Sequence, residues 1–242
     1  MENERLAHEI AHGKKIADRA EDIWGWDSPA GQIRAKRRAG WFVDLGKFTS
    51  NDKLLEIGCG TGLFTGMVYD QTKANIVATD LVDDLLDIAK KKYPQIHFKT
   101  EDAMNLSFEA NSFEGVYGSS ILHHLNFETS LDEILRVLKP GGKMIFAEPN
   151  MINPQILIQK NIPYIKEKLG DSPDETAIVR WSFKKLLEKK GFVNVQIFPY
   201  DFLHPSTPKP LIPLVNGIGK IIEKIPIMKE IAGSVVIYAE KK

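Results

Sequence analysis

The amino-acid sequence predicts an α/β fold with a mostly parallel sheet that helices cover on both faces. From Lys53 onward, short apolar segments typical of strands alternate with segments whose apolar residues recur at helical spacing. The first of these strands runs into a glycine-rich turn and then into a helix. Because such alternation needs crossover connections, neighbouring strands are expected to lie parallel and to be buried on both faces. The length allows a single domain over residues 1–242.

Residues 1–50 precede the first strand and predict helices. Apolar residues recur at helical spacing over 6–24 and again over 30–48, where Ser28 and Pro29 provide a start signal. No strand is predicted in this segment, so it lies outside the alternating pattern. We expect it to form a helical lid.

Residues 51–150 carry the alternating pattern and are expected to form a cofactor-binding core. Strands are predicted over 53–58, 75–80, 96–100, 112–120 and 143–149, and helices over 63–70, 83–93 and 130–138. Apolar residues share one face of the last helix: Leu131, Ile134, Leu135 and Leu138. The Lys-Pro-Gly-Gly sequence that follows is expected to end this helix.

The alternation stops after Asn150. A helix is predicted over 181–192, with Ser182 as its N-cap and Gly191 at its end, and the last two strands are predicted over 193–200 and 234–242. Two insertions remain, residues 151–180 and 201–233, and we expect them to form a cap over the substrate.

The composition and the amino-terminal sequence argue against several classes of protein. Lysines plus arginines number 32, and so do aspartates plus glutamates, which leaves no net field to hold a nucleic acid. The amino terminus lacks the apolar core of a signal peptide, and the single cysteine cannot form an intrachain disulfide. We expect a cytoplasmic protein without an integral membrane segment, and the sequence leaves its oligomeric state open.

Residues 210–231 are apolar and basic. A peripheral contact with lipid is compatible with this composition. The preferred interpretation is that the segment packs over the active site.

A glycine-rich turn follows the first predicted strand. Gly58, Gly60 and Gly62 lack a Cβ atom, so the turn can be tight and the backbone can approach a ligand closely. Leu63 stands where the dinucleotide fingerprint has its third glycine, which weakens the case for a bound pyrophosphate. A different nucleoside ligand is therefore favoured.

Carboxylates lie at or near the ends of the first three strands. Glu56 is suited to a ligand with an ammonium or sulfonium group, and Asp80 can accept hydrogen bonds from both ribose hydroxyls. Asp102 can accept from an exocyclic adenine amine, and Ala103 leaves room for the ring. Together with the glycines, these positions predict a nucleoside-cofactor pocket.

The segments LLEIGCGTG, ATDLV, EDA, GVYGSSILHHL and LKPGGKMIFAEP resemble the successive motifs of Rossmann-like, class I S-adenosylmethionine-dependent methyltransferases of the small-molecule type. The resemblance covers roughly residues 51–150 and the last two strands. It implies S-adenosylmethionine as cofactor and a seven-stranded sheet in the order 3-2-1-4-5-7-6 with strand 7 antiparallel. It implies that the three glycines line the methionine part, Asp80 the ribose, and Asp102 with Ala103 the adenine.

The same motifs contribute three further cofactor-site candidates, namely Cys59, Leu81 and Ser119. The resemblance places Ser119 at the end of the fourth strand, facing the cofactor. At Cys59 a small residue is all that the position requires.

Methyl transfer to a hydroxyl needs a base near the methyl donor. His123 and His124 follow the fourth strand and Glu148 ends the fifth, so all three are expected at the carboxyl edge of the sheet. A histidine oriented by Glu148 is suited to proton abstraction, and some members of the family use a histidine and a carboxylate in this way. The alternative is that a histidine caps the next helix or binds the backbone.

The acceptor is expected to be a small molecule with a hydroxyl or other nucleophile. Members of the family that methylate planar amino groups of nucleic acid or glutamine resemble one another in an Asn/Asp-Pro-Pro-aromatic stretch. Residues 119–122 here read Ser-Ser-Ile-Leu instead, which argues against methylation of such amino groups. Trp26 offers an apolar surface, and Arg34 and Arg38 could pair with a phosphate or carboxylate of a lipophilic or anionic metabolite. A helix with a solvated basic face is the alternative.

Three competing functions remain open from the sequence. His8, Glu9 and His12 match the H-E-x-x-H zinc pattern, but Gly13 follows at once and no third ligand is identifiable, so we expect no metal. A nicotinamide-dependent oxidoreductase would also use a glycine-rich turn. A regulator that binds S-adenosylmethionine without catalysis is the non-enzymatic alternative.

Overall fold

In the computed structural model, which describes residues 2–168 and 175–242, seven strands form one sheet in the order β3-β2-β1-β4-β5-β7-β6. The strands are β1 (Lys53–Ile57), β2 (Asn75–Asp80), β3 (His97–Thr100), β4 (Phe113–Ser119), β5 (Leu138–Pro149), β6 (Phe192–Tyr200) and β7 (Ser234–Lys241). The first five strands pair in parallel, and β7 is antiparallel to both β5 and β6. The predicted α/β class and strand order are confirmed.

Helices flank the sheet and precede it. They are α1 (Glu2–Ile16), α2 (Ala20–Ile23), α3 (Pro29–Gly46), α4 (Leu63–Thr72), α5 (Asp83–Lys92), α6 (Phe127–Val137), α7 (Pro154–Asn161), α8 (Pro163–Lys168), α9 (Arg180–Lys190) and α10 (Ile212–Ile222). Within the described residues, no helix is both long and apolar enough to span a bilayer.

Side chains of β1 alternate between two apolar clusters. Leu55 packs in a cluster with Leu131 of α6, whereas its neighbour Leu54 packs in a second cluster with Phe42 of α3. All four side chains are fully buried. The period of two that is inherent in a strand thus buries the sheet on both faces, and the carboxyl ends of β1, β2 and β4 meet at one edge.

Two helix boundaries differ from the sequence prediction. The predicted helix over 6–24 is divided into α1 and α2 by a 3-10 turn at Ala17–Arg19. The predicted N-cap Ser182 is wrong, because α9 already begins at Arg180 and the Ser182 hydroxyl donates to the Val179 carbonyl. Gly191 ends α9 with a φ of 100°, as predicted.

The start of β5 also differs from the prediction. The strand begins at Leu138, where it pairs with Phe113, and includes the Lys-Pro-Gly-Gly sequence that was expected to lie before it. A register shift between Phe113 and Gly115 accommodates this extension. Leu138 is therefore buried as a strand residue rather than on the face of α6.

The two insertions lie in different places. The first contains α7 and α8, and its residues 169–174 lie outside the described part. The second was expected to pack over the active site, but it packs against the start of α3, where Ala30 contacts Leu203 and Ile212. This placement results from the apolar inner face of α10.

Candidate active site

A cavity of about 610 Å³ lies at the carboxyl edge of the sheet. Its walls come from the glycine turn after β1, the ends of β2 and β4, the inward face of α1, and residues of α7. A volume of this order is typical of pockets that hold small molecules. The edge of the sheet and the amino-terminal helix therefore enclose one common space.

The glycine turn forms the floor of this cavity. Gly58 and Gly60 have φ values of 68° and 53°, in the left-handed region that side chains rarely adopt. A Cβ atom on Gly58 would lie 2.6 Å from Cγ1 of Ile121, and one on Gly60 would lie 3.0 Å from the ring of Trp24. The backbone is thus exposed to the cavity where only glycine fits. Gly62 lies behind it, at the N-cap of α4.

Asp80 fixes the shape of this turn from the end of β2. Its Oδ2 accepts a hydrogen bond from Gly60 N at 2.8 Å, and its Oδ1 accepts from Val82 N at 3.0 Å. Burial raises the pKa of Asp80, and the backbone N–H donors offset this only in part. Because each carboxylate oxygen has a second lone pair, Asp80 can also accept from hydroxyls in the cavity that it lines.

Glu56 occupies a different position from the one expected. Its side chain is fully buried beneath the turn, outside the cavity wall, and its Oε2 accepts from the Tyr117 hydroxyl at 2.9 Å. Burial raises the pKa of Glu56 to about 8. Glu56 is therefore engaged by a protein group and does not line the cavity.

The remaining cofactor candidates divide into two groups. Ala103, Cys59, Leu81 and Ser119 line the cavity. Asp102 lies just outside its wall, where Oδ1 accepts from Met104 N at 2.9 Å. The backbone turn that Asp102 closes thus presents its apolar neighbours to the cavity.

His123 lines the cavity and forms a buried pair with Glu148, which lies outside the cavity wall. His123 Nδ1 lies 2.7 Å from Glu148 Oε2, while Glu148 Oε1 accepts from the backbone N–H groups of Ile121 and Leu122. Burial raises the pKa of Glu148, but the bonds from His123 and the two amides outweigh burial, so its pKa is lowered. Burial lowers the pKa of His123. A neutral His123 that donates to an ionised Glu148 satisfies both groups.

His124 lies beside this pair and faces carboxylates from two other segments. Its Nδ1 lies 3.1 Å from Glu9 Oε2 on α1 and 3.7 Å from Glu175 Oε1. Burial alone would lower the pKa of His124, but the two carboxylates raise it above its ordinary value. Lys160 of α7 forms an ion pair with Glu175.

Three of these side chains have the ligand types of a metal site. The candidate ligand atoms of His123, His124 and Glu175 lie within 4.8 Å of one another. The Lys160 ammonium is already paired with Glu175 there. Of the H-E-x-x-H pattern, Glu9 faces His124 and His12 lines the cavity.

The predicted substrate residues are not all brought to the cavity. Trp26 lines it, but Arg38 is buried behind the wall, where Nη1 donates at 2.8 Å to the hydroxyls of Ser119 and Ser120. Arg34 lies outside the wall as well and forms an ion pair of 2.7 Å with Asp201. Both arginines are thus engaged by protein groups.

The cavity also contains residues that sequence reasoning missed. Glu175 and Lys160 belong to the first insertion, and no local pattern marks either of them. Glu9 was noted only as part of a zinc pattern. The helical spacing of apolar residues around Glu9 was the one sequence feature that could have indicated its inward position.

Comparisons with known proteins agree with this geometry. Residues 55–146 match the family described as "Methyltransferase domain". An uncharacterized methyltransferase-like protein of Schizosaccharomyces pombe is 27% identical over 186 residues, which cover 77% of this chain and 71% of that protein. A demethylmenaquinone methyltransferase of Paenarthrobacter aurescens is 32% identical over 154 residues, covering 60% of this chain and 59% of the relative.

The fold also matches solved structures. Phosphoethanolamine N-methyltransferase 2 of Haemonchus contortus, in complex with S-adenosylhomocysteine, has a TM-score of 0.67 at 16% identity, covering 95% of this chain and 60% of that chain. The match of the glycine-turn region to a methyltransferase domain decides against the nicotinamide-dependent oxidoreductase. Residues 55–146 thus resemble a methyltransferase domain, and the fold is the Rossmann-like fold of S-adenosylmethionine-dependent methyltransferases.

Proposed function

We propose that this protein transfers a methyl group from S-adenosylmethionine to a hydroxyl, or a nucleophile of similar acidity, on a small molecule with an apolar body. One observation carries the proposal. Asp80 and the glycine turn share a single cavity with His124, so a bound nucleoside and a candidate base face the same space.

The donor end of the cavity has the features that the cofactor needs. Gly58 and Gly60, both at positive φ, bring backbone without side chains to the cavity wall, which suits close approach by the methionine part. Asp80 would hold the ribose hydroxyls, and Ala103 and Met104 would contact the adenine ring. When bound, S-adenosylmethionine supplies an electrophilic methyl group.

The acceptor end has the features of a proton-accepting site. His124 would take the proton from the acceptor hydroxyl, and the carboxylates of Glu9 and Glu175 would stabilise the charge that the imidazole then carries. Glu148 holds the ring of His123 in place, and the centroid of that ring lies 4.2 Å from the centroid of the His124 ring. His123 and Glu148 therefore act as positioning residues in this proposal.

The walls between the two ends favour an acceptor with an apolar part. Ile23, Trp24 and Trp26 face the cavity from the amino-terminal segment, and Ile121 and Leu125 face it from the turn after β4. Burial of such surfaces favours apolar ligands. The demethylmenaquinone methyltransferase relative supports a lipophilic acceptor, and the absence of net charge supports a small molecule rather than a nucleic acid.

Two measurements on the purified chain test the proposal in sequence. Thermal unfolding is expected to shift upward with S-adenosylmethionine or its demethylated product and to stay unchanged with NAD, because only native-state binders raise the apparent stability. Label from methyl-labelled S-adenosylmethionine is then expected to appear in a small molecule of a cell extract, recovered in the organic phase. Heat-treated protein is the control.

The possible outcomes separate the alternatives. Stabilisation by S-adenosylmethionine without label in any fraction would identify a non-catalytic binding protein. Label recovered in nucleic acid would overturn the small-molecule acceptor, and stabilisation by neither donor nor product would overturn the cofactor site.

A further inference from the structure

The connection between β6 and β7 presents large apolar side chains to solvent. Between 40% and 85% of each is exposed for Leu211, Leu214, Ile218, Ile221, Ile225 and Ile227. The first four recur at intervals of three and four residues, which places them on one face of a helix. We call residues 209–231 with this outward face the crossover surface.

The opposite face of α10 accounts for how the segment is held. Ile212 and Gly219 are buried and Val215 is half-buried against Ala30 and Leu203. A Cβ atom on Gly219 would lie 3.1 Å from Cβ of Phe202, so the helix packs closely on that side. The helix is apolar on both faces, but only its inner face has cover among the described residues.

The charged side chains of the crossover surface also differ between its outer and inner sides. Lys209, Lys220 and Lys224 are exposed, and none of them forms an ion pair with any residue in 2–168 or 175–242. The carboxylates of the segment are turned inward, where Glu223 pairs with Arg37 and Glu230 with Arg180. The outer side is therefore apolar and positively charged.

We propose that the crossover surface docks the protein onto an anionic lipid membrane. An apolar helix face flanked by unpaired lysines matches acyl chains beneath negatively charged headgroups. A second protein would be a poorer match, because lysine is depleted in protein–protein interfaces. Charge complementarity therefore favours an anionic membrane over a second protein as the partner of this surface.

The crossover surface adjoins the element that borders the cavity. Asn153, at the start of α7, donates from Nδ2 to the Ile231 carbonyl at 2.8 Å. The same helix presents Leu157 and Ile158 to solvent and contributes Lys160 to the cavity wall. Docking through the crossover surface would bring α7, and the cavity beside it, near the lipid.

Vesicle flotation of the intact protein tests this proposal. The protein is expected to float with phosphatidylcholine vesicles that contain phosphatidylglycerol and to float poorly with pure phosphatidylcholine. Ile218→Asp with Ile221→Asp is expected to weaken binding about tenfold or more, because two apolar side chains that would enter the lipid are lost. Lys220→Gln with Lys224→Gln is expected to weaken it by about tenfold.

Matched controls keep the result interpretable. Lys90→Gln with Lys91→Gln removes the same charge from the exposed side of α5 and should leave flotation unchanged. An unchanged melting temperature shows that each variant is folded. Vesicle binding is measured without donor or acceptor, so it stands or falls separately from methyl transfer.

Three results would overturn the proposal. One is the absence of the wild-type protein from the lipid layer. Another is flotation that the crossover variants leave unchanged. The third is a dimer, seen by light scattering, that the Ile218→Asp with Ile221→Asp variant dissociates while vesicles fail to bind. That third result would assign the surface to another copy of the chain.

Discussion

The two ends of the cavity are built by different means. At the donor end, the shape is set by backbone: the glycine turn, and the two amides that Asp80 accepts from. At the acceptor end, the shape is set by titratable side chains from four separate segments, with His124 facing Glu9 and Glu175 and His123 paired with Glu148. The donor end is a local structure, whereas the acceptor end is an assembled one.

This difference suggests a division of tasks. A backbone cradle can bind the same cofactor with little dependence on distant substitutions. The protonation and geometry of a cluster of histidines and carboxylates depend on pH and on distant substitutions, and replacing the first insertion would change the cluster. Substitutions at the two ends should therefore separate binding of the donor from turnover.

The largest effect is expected from His124→Ala. Loss of a general base is expected to lower turnover by about 10²- to 10⁴-fold, while affinity for S-adenosylmethionine stays unchanged. Label transfer and calorimetry measure the two quantities. His97→Ala, at an exposed position on β3, is the matched control. A proportional loss of affinity would show that the two ends are not separate.

The next largest effect is expected from Asp80→Asn. An amide has one acceptor oxygen and cannot accept from Gly60 N, Val82 N and the two ribose hydroxyls of the proposed binding mode together, so affinity for S-adenosylmethionine should fall by about 10- to 100-fold. Calorimetric titration measures it. Asp70→Asn on the exposed side of α4 is the control. Wild-type affinity in Asp80→Asn would remove the ribose assignment.

A smaller effect concerns the support beneath the donor end. Since the pKa of Glu56 is raised from 4.5 to about 8 in the fold, the native state holds a proton that the unfolded chain releases. The free energy of unfolding should fall as pH rises from 4.5 towards 8, by at most about 1.4 kcal/mol per pH unit. Glu56→Gln should remove this slope in urea titrations. Equal slopes in the two proteins would contradict the buried, protonated carboxyl.

The smallest effect is expected from Glu9→Gln. Without this carboxylate the pKa of His124 should fall, so the acid limb of the turnover profile moves to lower pH. Turnover on the acid limb should therefore rise, because more of His124 is unprotonated there, whereas the plateau rate should fall by about two- to fivefold because a less basic imidazole takes the proton less readily. Histidine NMR titration measures the pKa directly, and His8→Gln on the same helix is the control. A pH profile identical to that of the wild type would mean that α1 lines the cavity without affecting the pKa of His124.

The same contrast explains what the sequence could predict. The alternation of strands and helices, Gly58, Gly60 and Asp80 follow from short local patterns, whereas the strand order was implied by the family resemblance; the fold prediction is confirmed. Glu175 approaches His124 only because the first insertion returns to the sheet, where Thr176 N donates to the His123 carbonyl. No local pattern encodes such an encounter.

Charged residues show the same limit. Arg38 was expected to meet substrate, yet it is buried and joins the end of β4 to the hydroxyls of Tyr200 and Ser234. Glu56 was expected to face the ligand and lies beneath the turn. A sequence shows that a charge is present, but its partners are decided by packing.

The position of α1 has a consequence for fidelity. Its inward side chains close the cavity, and one of them, Glu9, lies beside His124. Any movement of α1 away from the sheet would admit water and withdraw the partner of the base at the same moment. An open cavity would thus be a poor catalyst, which would protect a reactive methyl donor from wasteful hydrolysis.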